Sequence, residues 1–223
     1  MRYFFDTEFI EGFKKPFKFL PTIGRFNKPY HSIQLISIGI VAEDGREYYA
    51  ISNEFNPKDA NKWVKENVLD KLPTRYFNGL NATSAKQWKS NHQIRQEIKQ
   101  FFGYKPEFTD YGSDEFTTDR NIEVYAYYAD YDWVVLCSLF GTMMDLPHGF
   151  PMYCIDLKQI LDEKSASQWN SVEGKECTEN RLTLFKNREG YPKQENEHDA
   201  LDDAKWNKKL YEFLIKIKPT HVS

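Results

Sequence analysis

The residues of this chain most able to do chemistry are acids set at short, regular intervals. Asp6 and Glu8 stand two apart in Arg2 to Phe9, an aromatic and apolar run with interposed polar residues that reads as a buried strand. Period-two alternation points both carboxylates to one face and Phe5, Thr7 and Phe9 to the other. Two carboxylates on one face of a buried strand repel each other, which is costly unless a cation neutralises them or the strand end is solvated. Hard divalent ions such as Mg²⁺ or Mn²⁺ prefer carboxylate oxygens, so the pair could be half of a metal site. Taken alone, it is more simply a solvated strand edge.

A second acidic locus, Tyr128-Ala129-Asp130-Tyr131-Asp132-Trp133, lies where a strand passes into an apolar helix. Strand ends and helix starts are where α/β sheets place ligands, although either aspartate would also serve as a helix cap. The third is Glu197-His198-Asp199-Ala200-Leu201-Asp202-Asp203-Ala204. Residues five apart on a helix differ by about 140° in azimuth, so His198 and Asp203 could not share a face if both were helical. Asp199 as the N-cap removes the conflict, leaving His198 just outside the helix and Asp203 one turn in. An acid-rich helix start suits the helix dipole and would explain the acids, but not the histidine.

These loci need elements to hold them. Gln34 to Ala42 reads as a second strand, Glu43-Asp44-Gly45 as a hairpin turn and Glu47 to Phe55 as a third strand, so the chain opens with an antiparallel meander. Glu11 to His31, with three prolines and two glycines, reads as a long loop rather than a regular element. A short helix is expected over Trp63 to Leu72. A longer one is expected from a capping box at Ser84-x-x-Gln87 to Gly103, with Ile94, Ile98, Phe101 and Phe102 on one face. Ile122 to Ala129 and Pro151 to Ile155 read as strands, each leading into a helix, Asp132 to Phe140 and Leu157 to Leu161. Lys164 to Glu197 reads as a second long loop with one short strand at Arg181 to Phe185, and Ala200 to Ile217 as the last helix. A meander followed by alternating helices and strands predicts one mixed α/β sheet of five strands with helices on both faces. The whole of 1–223 is expected to be a single domain.

Composition narrows the classes. With 223 residues, 40% hydrophobic and 28% charged, the chain can build a sizeable core. No apolar run approaches the roughly 18 residues of a membrane span, and no signal peptide is evident, so a cytoplasmic protein that does not engage membranes is expected. Cys137, Cys154 and Cys177 form no CxxC pair and read as reduced thiols. A net charge of −3 gives no global attraction to nucleic acid, so a polyanionic substrate would need a local basic patch or bound metal. No GxSxG elbow, cysteine–histidine signature, P-loop or dinucleotide fingerprint is present.

The order of the three loci, Asp-x-Glu on the first strand, Tyr-Asp-x-x-x-Leu at a strand-to-helix junction and His-x-Ala-x-x-Asp-Ala opening the last helix, resembles the DEDDh 3′-to-5′ exonucleases. More narrowly, Phe5 to Phe9, Leu35 to Tyr49, Tyr131 to Gly141 and Glu197 to Trp206 resemble the small mycobacterial-type exoribonucleases. The resemblance implies an RNase H-like fold in which Asp6, Glu8, Asp132 and Asp203 hold two Mg²⁺ or Mn²⁺ ions and His198 is the general base. It favours Asp132, directly after the aromatic residue, over Asp130. It further implies hydrolysis of single-stranded RNA or RNA 3′ overhangs to nucleoside 5′-monophosphates. DNA as the substrate and a non-catalytic binding module are the alternatives, and a homodimer stays open.

The loop from Glu11 to His31 carries Lys14, Lys15, Lys18, Arg25 and Lys28 against the single acid Glu11. Phe13, Phe17, Phe19, Phe26 and Tyr30 alternate with them. Basic groups track a phosphate backbone and aromatic faces stack unpaired bases, so this loop is expected to grip single-stranded substrate. The competing reading is a surface flap whose phenylalanines bury against the sheet.

Overall fold

A computed structural model describes residues 1–17, 19–23, 25–73, 86–108, 114–117, 121–169 and 178–217. The first three strands form the expected meander: β1 (Arg2–Lys14), β2 (Tyr30–Ala42) and β3 (Glu47–Ser52) run antiparallel in sequence order. Gly45 closes the β2–β3 turn at φ +90°, a backbone region that side chains disfavour. At one edge of the sheet, β4 (Trp88–Lys89) pairs parallel with β3. At the other, β7 (Glu123–Ala126) runs parallel to β1 and β8 (Ile155–Asp156) parallel to β7. The order β4-β3-β2-β1-β7-β8 makes a mixed six-stranded sheet, one strand more than expected because two residues beside Ile51 and Ser52 add an edge. A separate hairpin, β5 (Lys105–Phe108) with β6 (Asp114–Thr117), had no clear signal in the sequence.

Both faces of the sheet are covered, because successive residues of β1 point opposite ways. Tyr3 and Phe5 pack with Ile38 and Ile40 against Ile94 and Ile98 of α2 (Asn91–Phe101) and Val135 and Leu136 of α3 (Ala129–Ser138). Phe4 faces Leu157 and Leu161 of α4 (Leu157–Trp169), Phe185 of α5 (Thr178–Lys186) and Trp206, Leu210 and Leu214 of α6 (Ala200–Lys216). A smaller cluster seats α1 (Lys62–Asn67) and the turn after it, with Val68 buried against Ile10 and Ile36. This arrangement is the expected mixed α/β class and is compatible with an RNase H-like fold. No described helix is long and apolar enough to cross a membrane.

Three local expectations are corrected. The residues after Phe9 do not leave the sheet: β1 and β2 continue as an antiparallel arm, pairing Glu11 with Ile33 and Lys14 with Tyr30, so the irregular part shrinks to its tip. Cross-strand pairs such as Phe13 and His31, whose rings meet at 5.7 Å, carry the ladder out to Lys14 and Tyr30, just short of Pro16 and Pro29. Helix α2 is capped by Ser90, whose hydroxyl accepts from the Gln93 amide while the Gln93 side chain accepts from the Ser90 amide. The same S-x-x-Q pattern at Ser84 falls largely outside the described residues. Arg181 to Phe185 is helical rather than a strand, and α4 runs on to Trp169 into what reads as loop; Phe185 and Leu182, three apart, both pack on the α6 side of the core.

One close approach registers α6 on the sheet. A Cβ at Gly39 would sit 2.2 Å from the Ala200 carbonyl oxygen, so only glycine lets the start of α6 lie against β2. Gly39 is the residue paired with Asp6 across the β1–β2 ladder.

Candidate active site

The three acidic loci meet in a cavity of about 330 Å³ whose lining includes Asp6, Glu8, Asp132, His198 and Asp203. Asp6 and Glu8 reach it from β1, as their spacing requires. Immediately after Glu8 the β1–β2 register slips, with Glu8 opposite Ser37 and Phe9 opposite Leu35. Such a bulge turns the strand and re-aims the side chains beside it.

Asp132 arrives from the first turn of α3 and is 7% exposed. Its Oδ1 accepts two hydrogen bonds from Thr7, from the amide at 2.9 Å and from the hydroxyl at 2.6 Å. Thr7 points away from Asp6 and Glu8 along the strand, but α3 lies on that side, so the residue between the two acids becomes the support of the third. Asp130 is exposed and does not line the cavity.

Asp203 comes from the first turn of α6. Asp199 caps this helix through the amides of Leu201 and Asp202, as the sequence predicts, and leaves His198 outside it. His198 holds φ +70°, and its amide donates to Asp203 Oδ2 at 2.8 Å while Gln194 Nε2 donates to Oδ1 at 2.6 Å. The imidazole Nδ1 lies 3.9 Å from Glu8 Oε1, and the ring meets Trp63 of α1 edge-on at 4.7 Å. Lys71 donates to the Glu197 carbonyl at 2.8 Å, pinning the same loop to the segment after α1. Tyr128, another wall of the cavity, also has positive φ, at +56°. Non-glycine residues in this region are strained, and such strain concentrates where a site dictates the backbone.

The electrostatics follow from crowding. Burial, then Asp203, Asp132 and Asp199, pushes Glu8 up to about 8. Burial likewise lifts Asp132 to about 7, with the two Thr7 bonds pulling the other way. Asp6 is raised well above the usual carboxylate range by burial and then by Asp132 and Glu8; Asp203 is also raised by burial, against the bonds from Gln194 and His198. Glu8, His198 and Asp203 each offer a ligand atom within 4.8 Å of the others. Nearby, Asn207 is almost fully buried; its Nδ2 donates to the Phe5 carbonyl, while its Oδ1 has no partner among the described residues. Oxygen-rich donors with raised proton affinity fit a hard divalent cation, whose charge relieves the repulsion.

The arm keeps its aromatic groups in solvent. Phe13 is 77% and Phe19 94% exposed, and Phe17, Phe26 and Tyr30 are exposed too, which rules out the flap whose phenylalanines bury against the sheet. Lys14 is tied to Asp59 at 3.5 Å, whereas Lys15, Arg25 and Lys28 are exposed; Lys18 lies outside the described residues. The base of the arm reaches the cavity through Tyr131, which donates to Glu11 at 3.2 Å and stacks on Phe9.

Thr7, Gln194, Asn207 and Trp63 were not singled out by sequence. Thr7 sits inside the Asp-x-Glu pattern and Asn207 follows Asp203 by one helical turn, which were usable signals. Gln194 and Trp63 carry none, because their importance comes from contacts across the fold.

The 3'-5' exoribonuclease Rv2179c-like domain family model matches residues 23–215. Two proteins named as 3'-5' exoribonucleases, MT2234.1 from Mycobacterium tuberculosis strain CDC 1551 / Oshkosh and Rv2179c from strain ATCC 25618 / H37Rv, are each 34% identical over 205 residues. The alignments cover 92% of this chain and 88% of each relative.

Proposed function

This chain belongs to the Rv2179c-like 3'-5' exoribonuclease domain family, and from that premise we propose that it is itself a 3′-to-5′ exoribonuclease. It removes nucleoside 5′-monophosphates from the 3′ end of single-stranded RNA or of an RNA 3′ overhang. The observation that carries the reading is the convergence of Glu8, His198 and Asp203 within 4.8 Å, in a cavity that also holds Asp6 and Asp132.

Asp6, Glu8, Asp132 and Asp203 are the residues to hold two Mg²⁺ or Mn²⁺ ions, which when bound would neutralise the phosphate oxygens and acidify the attacking water. The protein's own part is orientation and proton transfer. Thr7 fixes Asp132, while Gln194 and the His198 amide fix Asp203, so the acids present defined oxygens instead of rotating apart. His198, held at the helix threshold between Trp63 and Glu8, takes the proton of the attacking water at an imidazole nitrogen as the 3′ oxygen departs. No covalent intermediate is needed.

The test is incubation of 5′-labelled RNA with Mg²⁺ or Mn²⁺, with DNA of the same sequence in parallel. A ladder shortening from the 3′ end of RNA, abolished by EDTA, is expected. Asp6→Ala, Glu8→Ala, Asp132→Ala and Asp203→Ala should each remove nearly all of it, while Asp130→Ala should keep it. Shortening of DNA alone would change the substrate; binding without shortening would make the chain a non-catalytic module; an EDTA-resistant ladder would sink the metal reading.

A further inference from the structure

Beside the carboxylate cavity lies a second, larger cleft of about 620 Å³. It shares Tyr127, Gln194 and Trp206 with the first, so the two are neighbours along one wall. Its remaining lining comes from the end of α5 and the chain that follows, including Lys186, Arg188, Tyr191 and Lys193. Among its described lining residues, three cations against the single acid Glu197 make it a local reversal of charge in a protein whose formal charge is −3. Among the described residues, neither Lys186 nor Lys193 is held in an ion pair, and the Arg188 guanidinium lies over the Phe185 ring.

The carboxylate cavity cannot hold a polynucleotide by itself. Its volume suits about one nucleotide, and its own charges repel every phosphate beyond those the metals neutralise. An enzyme that works from a 3′ end must therefore lead the rest of the strand away over a surface of opposite character. The second cleft begins at that wall and combines free cations with aromatic rings, the pairing that suits an unpaired strand: charge for the backbone, π-faces for the bases. Gln194 ties the two sites together, since it lines both and bonds Asp203.

We propose that this second cleft binds the phosphates and bases of the nucleotides that precede the 3′-terminal one in single-stranded RNA, so that the enzyme holds several nucleotides while it cuts one. The proposal rests on the exoribonuclease reading above and adds a path for the strand, distinct from the exposed arm.

The test compares wild type with a Lys186→Ala/Arg188→Ala/Lys193→Ala variant on RNAs from about two to eight nucleotides. Wild-type KM should fall with length and then level off. In the triple variant this gain should vanish, with KM for the longest RNA raised about tenfold and the salt dependence of log affinity shallower by about 2, at roughly 0.7 per lost single-strand phosphate contact. Thermal unfolding at the wild-type temperature shows that the exposed substitutions leave the fold intact. An unchanged length dependence in the triple variant overturns the proposal, as does its loss in a Lys15→Ala/Arg25→Ala/Lys28→Ala arm variant instead. If wild type shortens no RNA of any length, the exoribonuclease reading has failed and the strand path falls with it.

Discussion

Glu8 and Asp132 are the residues whose chemistry most depends on their neighbours. Their proton affinities, about 8 and about 7, are raised chiefly by burial, whereas an unfolded chain releases such protons near pH 4. Between about pH 4 and 8 the folded state therefore binds more protons than the unfolded one, and stability falls as pH rises through that window. In EDTA the unfolding temperature should drop steadily from about pH 5 to pH 8, and added Mg²⁺ should flatten the decline; a pH-independent temperature in EDTA would show that the acids are not coupled in this way. At His198, replacement by alanine should slow cleavage by roughly 10² to 10⁴-fold. Trp63→Ala should slow it by about tenfold through misplacement of the ring, with little loss of stability because Trp63 is half exposed. If Trp63 acts only by positioning His198, the double variant is no slower than His198→Ala alone. The spacing of Asp6 and Glu8, the Asp199 cap and the place of His198 were all legible in sequence, since each is a matter of local periodicity. Whether Asp130 or Asp132 faces the cavity rested on family resemblance, and in the structure it is the burial of one against Thr7 that separates them.

Among the elements, α6 and β2 are the pair on which the site depends, and Gly39 is their contact. Gly39→Ala would press a methyl group into the Ala200 backbone, beside Asp6 and one turn before Asp203. We expect a loss of about 1 to 3 kcal/mol in stability, typical of overpacking. Cleavage should fall as well, well below the temperature at which the variant unfolds. Normal cleavage by a fully folded Gly39→Ala protein would mean the helix can move without disturbing the acids. Elements with a strong internal pattern were legible: the meander with its Asp-Gly turn, and α6 with its apolar stripe. The arm was not, because the prolines at its tip and Gly12 within β1 mask strands whose pairing is set across the hairpin. The capping-box pattern S-x-x-Q fits both Ser84 and Ser90, and only the packing of Ile94 and Ile98 selects Ser90. Helix α5 is not legible in sequence because it is short and its apolar residues acquire meaning only against α6.

At the scale of the molecule, the six-stranded sheet with helices on both faces joins the principal core clusters, with the β5–β6 hairpin outside that sheet and the arm reaching beyond those clusters. A single cooperative transition, coincident by far-ultraviolet and near-ultraviolet dichroism, is expected. Two separated transitions would divide the chain into more than one unit. The same architecture spreads the site over the length of the sequence: the Asn207 side chain bonds the Phe5 carbonyl across 202 positions, and His198 and Asp203 stand beside Glu8 only once α6 is seated. A ribosome making this protein thus releases the strand bearing Asp6 and Glu8 long before the helix that completes their company. Throughout synthesis the nascent chain carries half a blade, and a copy cut short before α6 never acquires the other half.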